Sequence, residues 1–289
     1  MKIALFGTGR LGSGMAERWL KSGNTVHVWN RTADKARALE SFGAKAFEDP
    51  LAALDGVEIV HIILSDDAAV DGLLDRILER IPKGTLVIDH TTTSPAGAAE
   101  RAARGDKAGV AFLHAPVFMS PATVREGTGL MLVCGPAARV KKAEDHLRKM
   151  TGEVWNVGED PRHAAAFKLF GNAMIVTIVS GLSDVYGMAR SVGVEPSSAH
   201  ALFSHFKATN SIDIRGKKMA AGDFRPSFEL TMARKDVRLM REMADAADVE
   251  LHVLPAIAER IDDLIAVGLG DRDLAVMAID AVSEAAAAG

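Results

Sequence analysis

Gly7-Thr8-Gly9-Arg10-Leu11-Gly12 has the spacing GxGxxG. It follows an apolar run and opens a helical pattern, the context in which that spacing binds a dinucleotide. Gly7 permits a tight turn, Gly9 lets the backbone approach a pyrophosphate, and Gly12 lets helix and strand pack closely. Thr8, Arg10 and Leu11 lie between the glycines and belong to the same cofactor-binding segment. The helix that begins here offers amide N–H groups and the positive end of its dipole to phosphate oxygens.

The end of the second strand candidate bears on which dinucleotide binds. A site for NAD usually places Asp or Glu there to hold the ribose 2′-hydroxyl. Here Val26-His27-Val28-Trp29 runs into Asn30-Arg31-Thr32, with no carboxylate. Arg31 can grip a 2′-phosphate, Asn30 and Thr32 can add hydrogen bonds, and Lys35 stands one helical turn on. The missing acid and the present base favour NADP over NAD. Two later strand-end loops, Leu64-Ser65-Asp66 and Asp89-His90-Thr91-Thr92-Thr93, belong to the same crevice. Leu64, Ser65 and Thr92 are candidate contacts to ribose or nicotinamide, with ordinary turn and capping chemistry as the competing use of each.

Hydride transfer to or from a nicotinamide also needs a proton donor and acceptor. Lys168 lies in Ala164-Ala165-Ala166-Phe167-Lys168-Leu169-Phe170-Gly171-Asn172. Its apolar neighbours should desolvate the amine and lower its pKa. Asn172 is one helical turn on, on the same face. A lysine and an amide on an otherwise apolar face look like a site, although a lone helical lysine is more often a snorkelling surface residue. Arg234-Lys235-Asp236 reads, by spacing alone, as a charged helix face. The nine histidines form no metal-ligand spacing, so no metal is expected.

These residues must be held by elements. Strand candidates at Lys2–Phe6, Thr25–Trp29, Ile59–Leu64, Thr85–Asp89, Ala111–Ala115 and Leu130–Val133 alternate with helical patterns, and Val154–Val157 would add another. Apolar strands alternating with helices predict an α/β fold with a doubly wound parallel sheet of the Rossmann type. After Pro161 helical periodicity takes over: His163–Val192, broken near Gly193, then Ser197–Phe206, Leu230–Ala247, Leu254–Val267 and Asp273–Ala285, the alanine-rich end fraying. The expected organisation is a dinucleotide-binding domain over 1–157 and an all-α domain over 158–289, opened by a long interdomain helix.

The 289 residues carry a net charge of -4, with a pI near 6.1. That balance argues against a nucleic-acid partner, and no run of about 20 apolar residues predicts a membrane span. The N-terminus does not read as a signal peptide. One cysteine, Cys134, suits a reducing, cytoplasmic setting. Its place after Leu130–Val133 reads as a buried strand residue, not a nucleophile.

Taken in order along nearly the whole chain, the segments resemble the β-hydroxyacid dehydrogenases. That family includes 3-hydroxyisobutyrate, tartronate semialdehyde, glyoxylate/succinic semialdehyde and 6-phosphogluconate dehydrogenases. Gly7–Gly12 with Met15-Ala16 is similar to its opening, Asp89–Pro95 to its cofactor loop, and Ala115-Pro116-Val117 to the core of its substrate loop. Lys168 and Asn172 match its KxxxN pair, Lys235–Met240 its KDxxL segment, and Asp271–Ala275 a further C-terminal match. The resemblance implies that Lys168 is the general acid/base, that Asn172 orients substrate or lysine, and that Lys235 lies near the nicotinamide. It also implies a small-molecule substrate and a homodimer or homotetramer built through the helical domain.

The substrate loop departs from the family's DAPVSGG. It reads His114-Ala115-Pro116-Val117-Phe118-Met119-Ser120. Phe118, Met119 and Ser120 replace the serine and glycines that hold a substrate carboxylate, and Ser120 substitutes at most in part. His114 either meets substrate or caps a strand, and Arg162 is either a carboxylate ligand or a surface residue. The leading expectation is NADPH-dependent reduction of a small aldehyde or keto acid to a hydroxy acid, or the reverse. An imine reductase of the same architecture and a non-catalytic NADPH-binding protein are the alternatives.

Overall fold

Short apolar runs bounded by glycine, proline and polar residues become strands buried on both faces. The computed structural model describes residues 1–282. Its first part runs β1 (Lys2–Phe6), α1 (Arg10–Lys21), β2 (Thr25–Trp29), α2 (Ala33–Arg37), β3 (Lys45–Phe47), β4 (Ile59–Ile62), α3 (Asp67–Ile77), β5 (Leu86–Asp89), α4 (Pro95–Ala108) and β6 (Ala111–His114). These strands form one parallel sheet in the order β3-β2-β1-β4-β5-β6. The order reverses beside β1, so the crevice lies beyond the carboxyl ends of β1 and β4. Along β1, Ile3 and Leu5 enter one apolar cluster with Met15, Ala16 and Trp19 of α1. Ala4 and Phe6 enter the other, with Val70, Leu73 and Leu74 of α3.

Five further elements complete the first part: β7 (Val117–Phe118), α5 (Pro121–Glu126), β8 (Leu130–Val133), α6 (Ala137–Arg148) and β9 (Glu153–Asn156). The strands at 130–133 and 153–156 were expected to extend the parallel sheet. Instead β7, β8 and β9 form a second, three-stranded sheet. The chain reverses at Ala115-Pro116 after β6, and β7 pairs antiparallel with β8, so β8 cannot continue the parallel series. The two-residue β7 and three-residue β3 are too short to show in a periodicity.

The chain then enters α7 (His163–Ser191), which ends before Gly193 at positive φ, as expected. Next come α8 (Pro196–His205), α9 (Asn210–Ala220), α10 (Leu230–Asp245), α11 (Leu254–Ala266) and, after a 3-10 turn at Leu274–Ala278, α12 (Ile279–Val282). Apolar periodicity does not predict α9, whose residues include four charged side chains and Gly216. The part of the 273–285 helix beyond 282, with the alanine-rich tail, lies outside the described residues. The chain divides into two compact units inside α7, at Ala173 and Met174, because one continuous helix serves both.

α7 also corrects the reading that no segment is long and apolar enough to cross a membrane. It has an 18-residue window of mean hydropathy 1.6, only 6% of it buried. A count of consecutive apolar residues missed this because Lys168, Asn172 and Asp184 interrupt the run. Asp184 shows the helix serving a globular core: its carboxylate is buried and accepts N–H bonds from His252, Val253 and Leu254, at 2.9, 2.9 and 3.0 Å, where α11 begins. Burial opposes the charge, but the three amides outweigh it and hold the carboxyl below its ordinary pKa. Asp184→Ala would leave those donors without an acceptor. It should lower the unfolding free energy by about 2–4 kcal/mol, read as a fall in the midpoint of chemical denaturation.

Candidate active site

The glycines behave as their spacing requires. Gly7 has φ +106°, and a Cβ there would sit 2.0 Å from the Ile63 carbonyl oxygen. A Cβ on Gly12 would sit 2.0 Å from the Gly7 carbonyl oxygen, whereas one on Gly9 would meet nothing within 4 Å. Two glycines therefore serve packing, and the third leaves open space where a ligand backbone would approach. The amides of Arg10, Leu11 and Gly12 occupy the first turn of α1, where no intrahelical acceptor exists.

These residues line a cleft of about 610 Å3 with Trp29, Asn30, Arg31, Thr32, Lys35, Leu64 and Ser65. Its walls carry four cations, Arg10, Arg31, Lys35 and Arg76, and no carboxylate. Sequence reasoning missed Arg76 and Trp29. The guanidinium of Arg76 lies 5.9 Å from the Trp29 ring centroid, and it is carried by α3, whose small residues Ala68, Ala69 and Gly72 also face the cleft. That small-residue stripe was the available signal. A dinucleotide fits this set: open space at Gly9, free amides on α1 and a cationic far end.

Other expected contacts take different places. Thr8 is buried, its N–H donating to Asn30 Oδ1 at 3.1 Å, while Asn30 Nδ2 donates to the Thr32 carbonyl at 3.0 Å. The Asn30 amide thus ties the glycine loop to the end of β2 and is not free for a phosphate. Ser65 Oγ donates to Asp66, the N-cap of α3. Thr92 is exposed and absent from the cleft walls, whereas its neighbour Thr91 accepts the Leu64 N–H at 3.0 Å. Ser94 and Arg101 fasten this loop to Asp67 of α3.

Lys168 is buried, with 9% of its surface exposed. Its Nζ lies 3.9 Å from the centroid of the Phe118 ring, and no ion pair to a described residue engages it. Desolvation lowers its pKa from the ordinary lysine value, as its apolar neighbours required. Asn172 is half-buried one turn on, and no hydrogen bond to a described residue occupies its amide. Ser120 caps α5: its Oγ accepts the Thr123 N–H and its own N–H donates to Thr123 Oγ1 at 2.8 Å. Met119 packs against the core beside Gly129.

His114 is the last residue of β6. It is buried with Nδ1 3.7 Å from Asp89 Oδ2. Arg162 is exposed and closes on Asp160 with two nitrogens, which raises its own pKa and lowers that of Asp160. Cys134 is buried just past β8, and burial raises its thiol pKa, against a nucleophilic role. In the second unit Lys235 lies on α10 and pairs with Asp236 at 2.7 Å.

Residues 2–158 match the family model for the NAD binding domain of 6-phosphogluconate dehydrogenase. The chain is a member of the β-hydroxyacid dehydrogenase family. Residues 163–279 also match the model for the NAD-binding region of NADP-dependent 3-hydroxyisobutyrate dehydrogenase. It is 28% identical to glyoxylate/succinic semialdehyde reductase 1 of Arabidopsis thaliana over 293 residues, covering 98% of each chain. It is 27% identical to 3-sulfolactaldehyde reductase of Escherichia coli over 281 residues, 94% of this chain and 92% of that one. Among solved structures, an imine reductase of Streptomyces aurantiacus superposes with a TM-score of 0.90 at 23% identity, covering 98% of this chain and all of that one; this is a likeness of fold. The chain is an oxidoreductase that uses a nicotinamide dinucleotide.

Proposed function

We propose that this protein uses NADPH to reduce a small aldehyde or keto acid to the corresponding hydroxy compound, and runs the reverse with NADP. The observation that carries the reading is Lys168, an amine buried in the dinucleotide-binding unit with no carboxylate partner among the described residues. NADPH supplies the hydride. Lys168 gives the proton to the carbonyl oxygen, and a pKa lowered by burial makes that proton easier to release. Asn172, whose amide bonds to no described residue, orients the substrate or the amine. Lys235 keeps the role implied for it beside the nicotinamide.

Four cations and no acid around the cleft support NADP over NAD. Arg31→Ala should raise the KM for NADPH on the order of tenfold and leave the KM for NADH nearly unchanged. An equal effect on both would remove Arg31 from the 2′-phosphate. Imine reduction is the second reading, favoured by the apolar Phe118-Met119 turn. NADPH oxidation against a panel of semialdehydes, 2-keto acids and cyclic imines separates the two. Turnover of none of them, with tight NADPH binding, would overturn both.

The exposed apolar stretch of α7, including Ile175, Val176 and Val179, supports a homodimer or homotetramer in which a second copy covers it. Sedimentation as a 30.7 kDa species would exclude that assembly.

A further inference from the structure

A carbonyl needs one proton donor to be reduced, but a carboxylate on the same molecule needs donors of its own. The side chains of the turn facing Lys168 have none to spare. The backbone of Phe118 pairs with Leu130, Ser120 donates its N–H to Thr123 Oγ1, and its hydroxyl accepts the Thr123 N–H and lies 3.2 Å from Thr123 Oγ1, which itself donates to the Ser120 carbonyl. The Met119 side chain offers only apolar surface, and Arg162 is closed on Asp160. Over the amine itself lies the Phe118 ring, packed so closely on α7 that a Cβ at Gly171 would stand 2.3 Å from Phe118 Cζ.

We propose, on the reading that Lys168 is the proton donor, that the substrate is an uncharged, apolar carbonyl compound and that Phe118 is the residue that selects it. The ring face is negative, so it attracts the ammonium and repels a carboxylate. It lets Lys168 hold its proton in a desolvated place without an anionic partner, which would stabilise the ammonium and hinder proton release. A carboxylate that displaced the ring would pair with Nζ and draw the amine away from the carbonyl. With an uncharged substrate the step balances. Hydride from NADPH forms the new C–H bond, the C=O π pair takes the proton from Nζ as O–H, NADPH is oxidised, and the amine is left neutral.

The test compares kcat/KM for pentanal and for succinic semialdehyde, two chains of similar length that differ in the terminal charge, with NADPH saturating. The wild type should prefer pentanal on the order of tenfold or more. F118S should erase most of that preference, and F118L, which keeps the apolar bulk, should retain it. Equal or better use of succinic semialdehyde by the wild type, or an unchanged ratio in F118S, would overturn the proposal. Should F118S fail to fold by near-ultraviolet circular dichroism, the wild-type ratio decides alone. If neither aldehyde is reduced, the reductase reading fails separately. Calorimetry on the NADP-loaded protein then decides selection: tighter binding of 1-pentanol than of 4-hydroxybutanoate supports it, and the reverse order or no binding of either overturns it.

Discussion

Replacing Lys168 with alanine is expected to lower kcat by on the order of 100- to 10,000-fold, the range for loss of a positioned general acid, while NADPH binding stays as in the wild type. The separation follows from placement. Lys168 is not among the residues lining the dinucleotide cleft, so its loss removes no phosphate or ribose contact. Lys168→Arg should restore little, because a guanidinium stays protonated throughout the working range and is a poor proton donor. The pH profile gives a readout that a structural role would not move. Carbonyl reduction uses the ammonium form, and burial lowers the pKa of that ammonium. Reductive kcat/KM should therefore fall as pH rises through the lowered value, below the ordinary lysine range, and the oxidative direction should rise across the same interval. Stopped-flow measurement of NADPH consumption at several pH values checks both slopes. A Lys168→Ala protein with wild-type turnover would remove the amine from the mechanism.

The parts of this architecture that were legible in the sequence are those where one residue type has one physical use. Gly7 and Gly12 could be assigned because no other side chain fits against a carbonyl oxygen 2.0 Å from its Cβ. Strands β1, β2, β4, β5 and β6 were legible because doubly buried strands leave nearly continuous apolar runs. The buried state of Lys168 followed from its neighbours on one helix. What escaped notice depends on partners distant in the chain. Nothing local says that the Asn30 amide is consumed by Thr8, or that Arg76 of α3 faces the same cleft as Arg31. The second sheet escaped because a strand of the right composition joins whichever edge the preceding turn presents, and Ala115-Pro116 sets that turn. The histidines looked scattered because His61, His90 and His146 are far apart in sequence and meet only in the fold.

Those three histidines set the second large expectation, a loss of stability in mild acid. His146 Nε2 and His61 Nε2 are 2.8 Å apart, His61 Nδ1 and His90 Nε2 are 2.8 Å apart, and His90 Nδ1 lies 2.6 Å from the Ala115 carbonyl oxygen. The carbonyl can only accept, so His90 Nδ1 donates. His61 Nδ1 must then donate to His90, and His146 Nε2 to His61. All three rings are neutral, and the chain ties α6 through β4 to the backbone that begins the substrate turn. The rings of His61 and His90 stack at 5.1 Å, and Trp19 of α1 closes on His61 at 4.5 Å. Burial, then the neighbouring histidines, push His61 well below its ordinary value. Burial dominates for the other two as well, both lowered to about 4, with Lys149 also opposing charge on His146 and Asp89 favouring it on His90. The unfolded chain takes up these protons near pH 6.5. Because the folded values are lower, stability is fully present above about pH 6.5 and is lost as pH falls toward 4. One histidine with such a shift is worth about 3 kcal/mol, and coupling makes the three non-additive. Urea unfolding at pH 7.0 and 4.5 should show this loss. His146→Gln, which keeps an N–H for His61 and cannot titrate, should flatten the acid limb while leaving stability at pH 7 near the wild-type value. An acid limb unchanged in His146→Gln would place the titrating groups elsewhere in the fold.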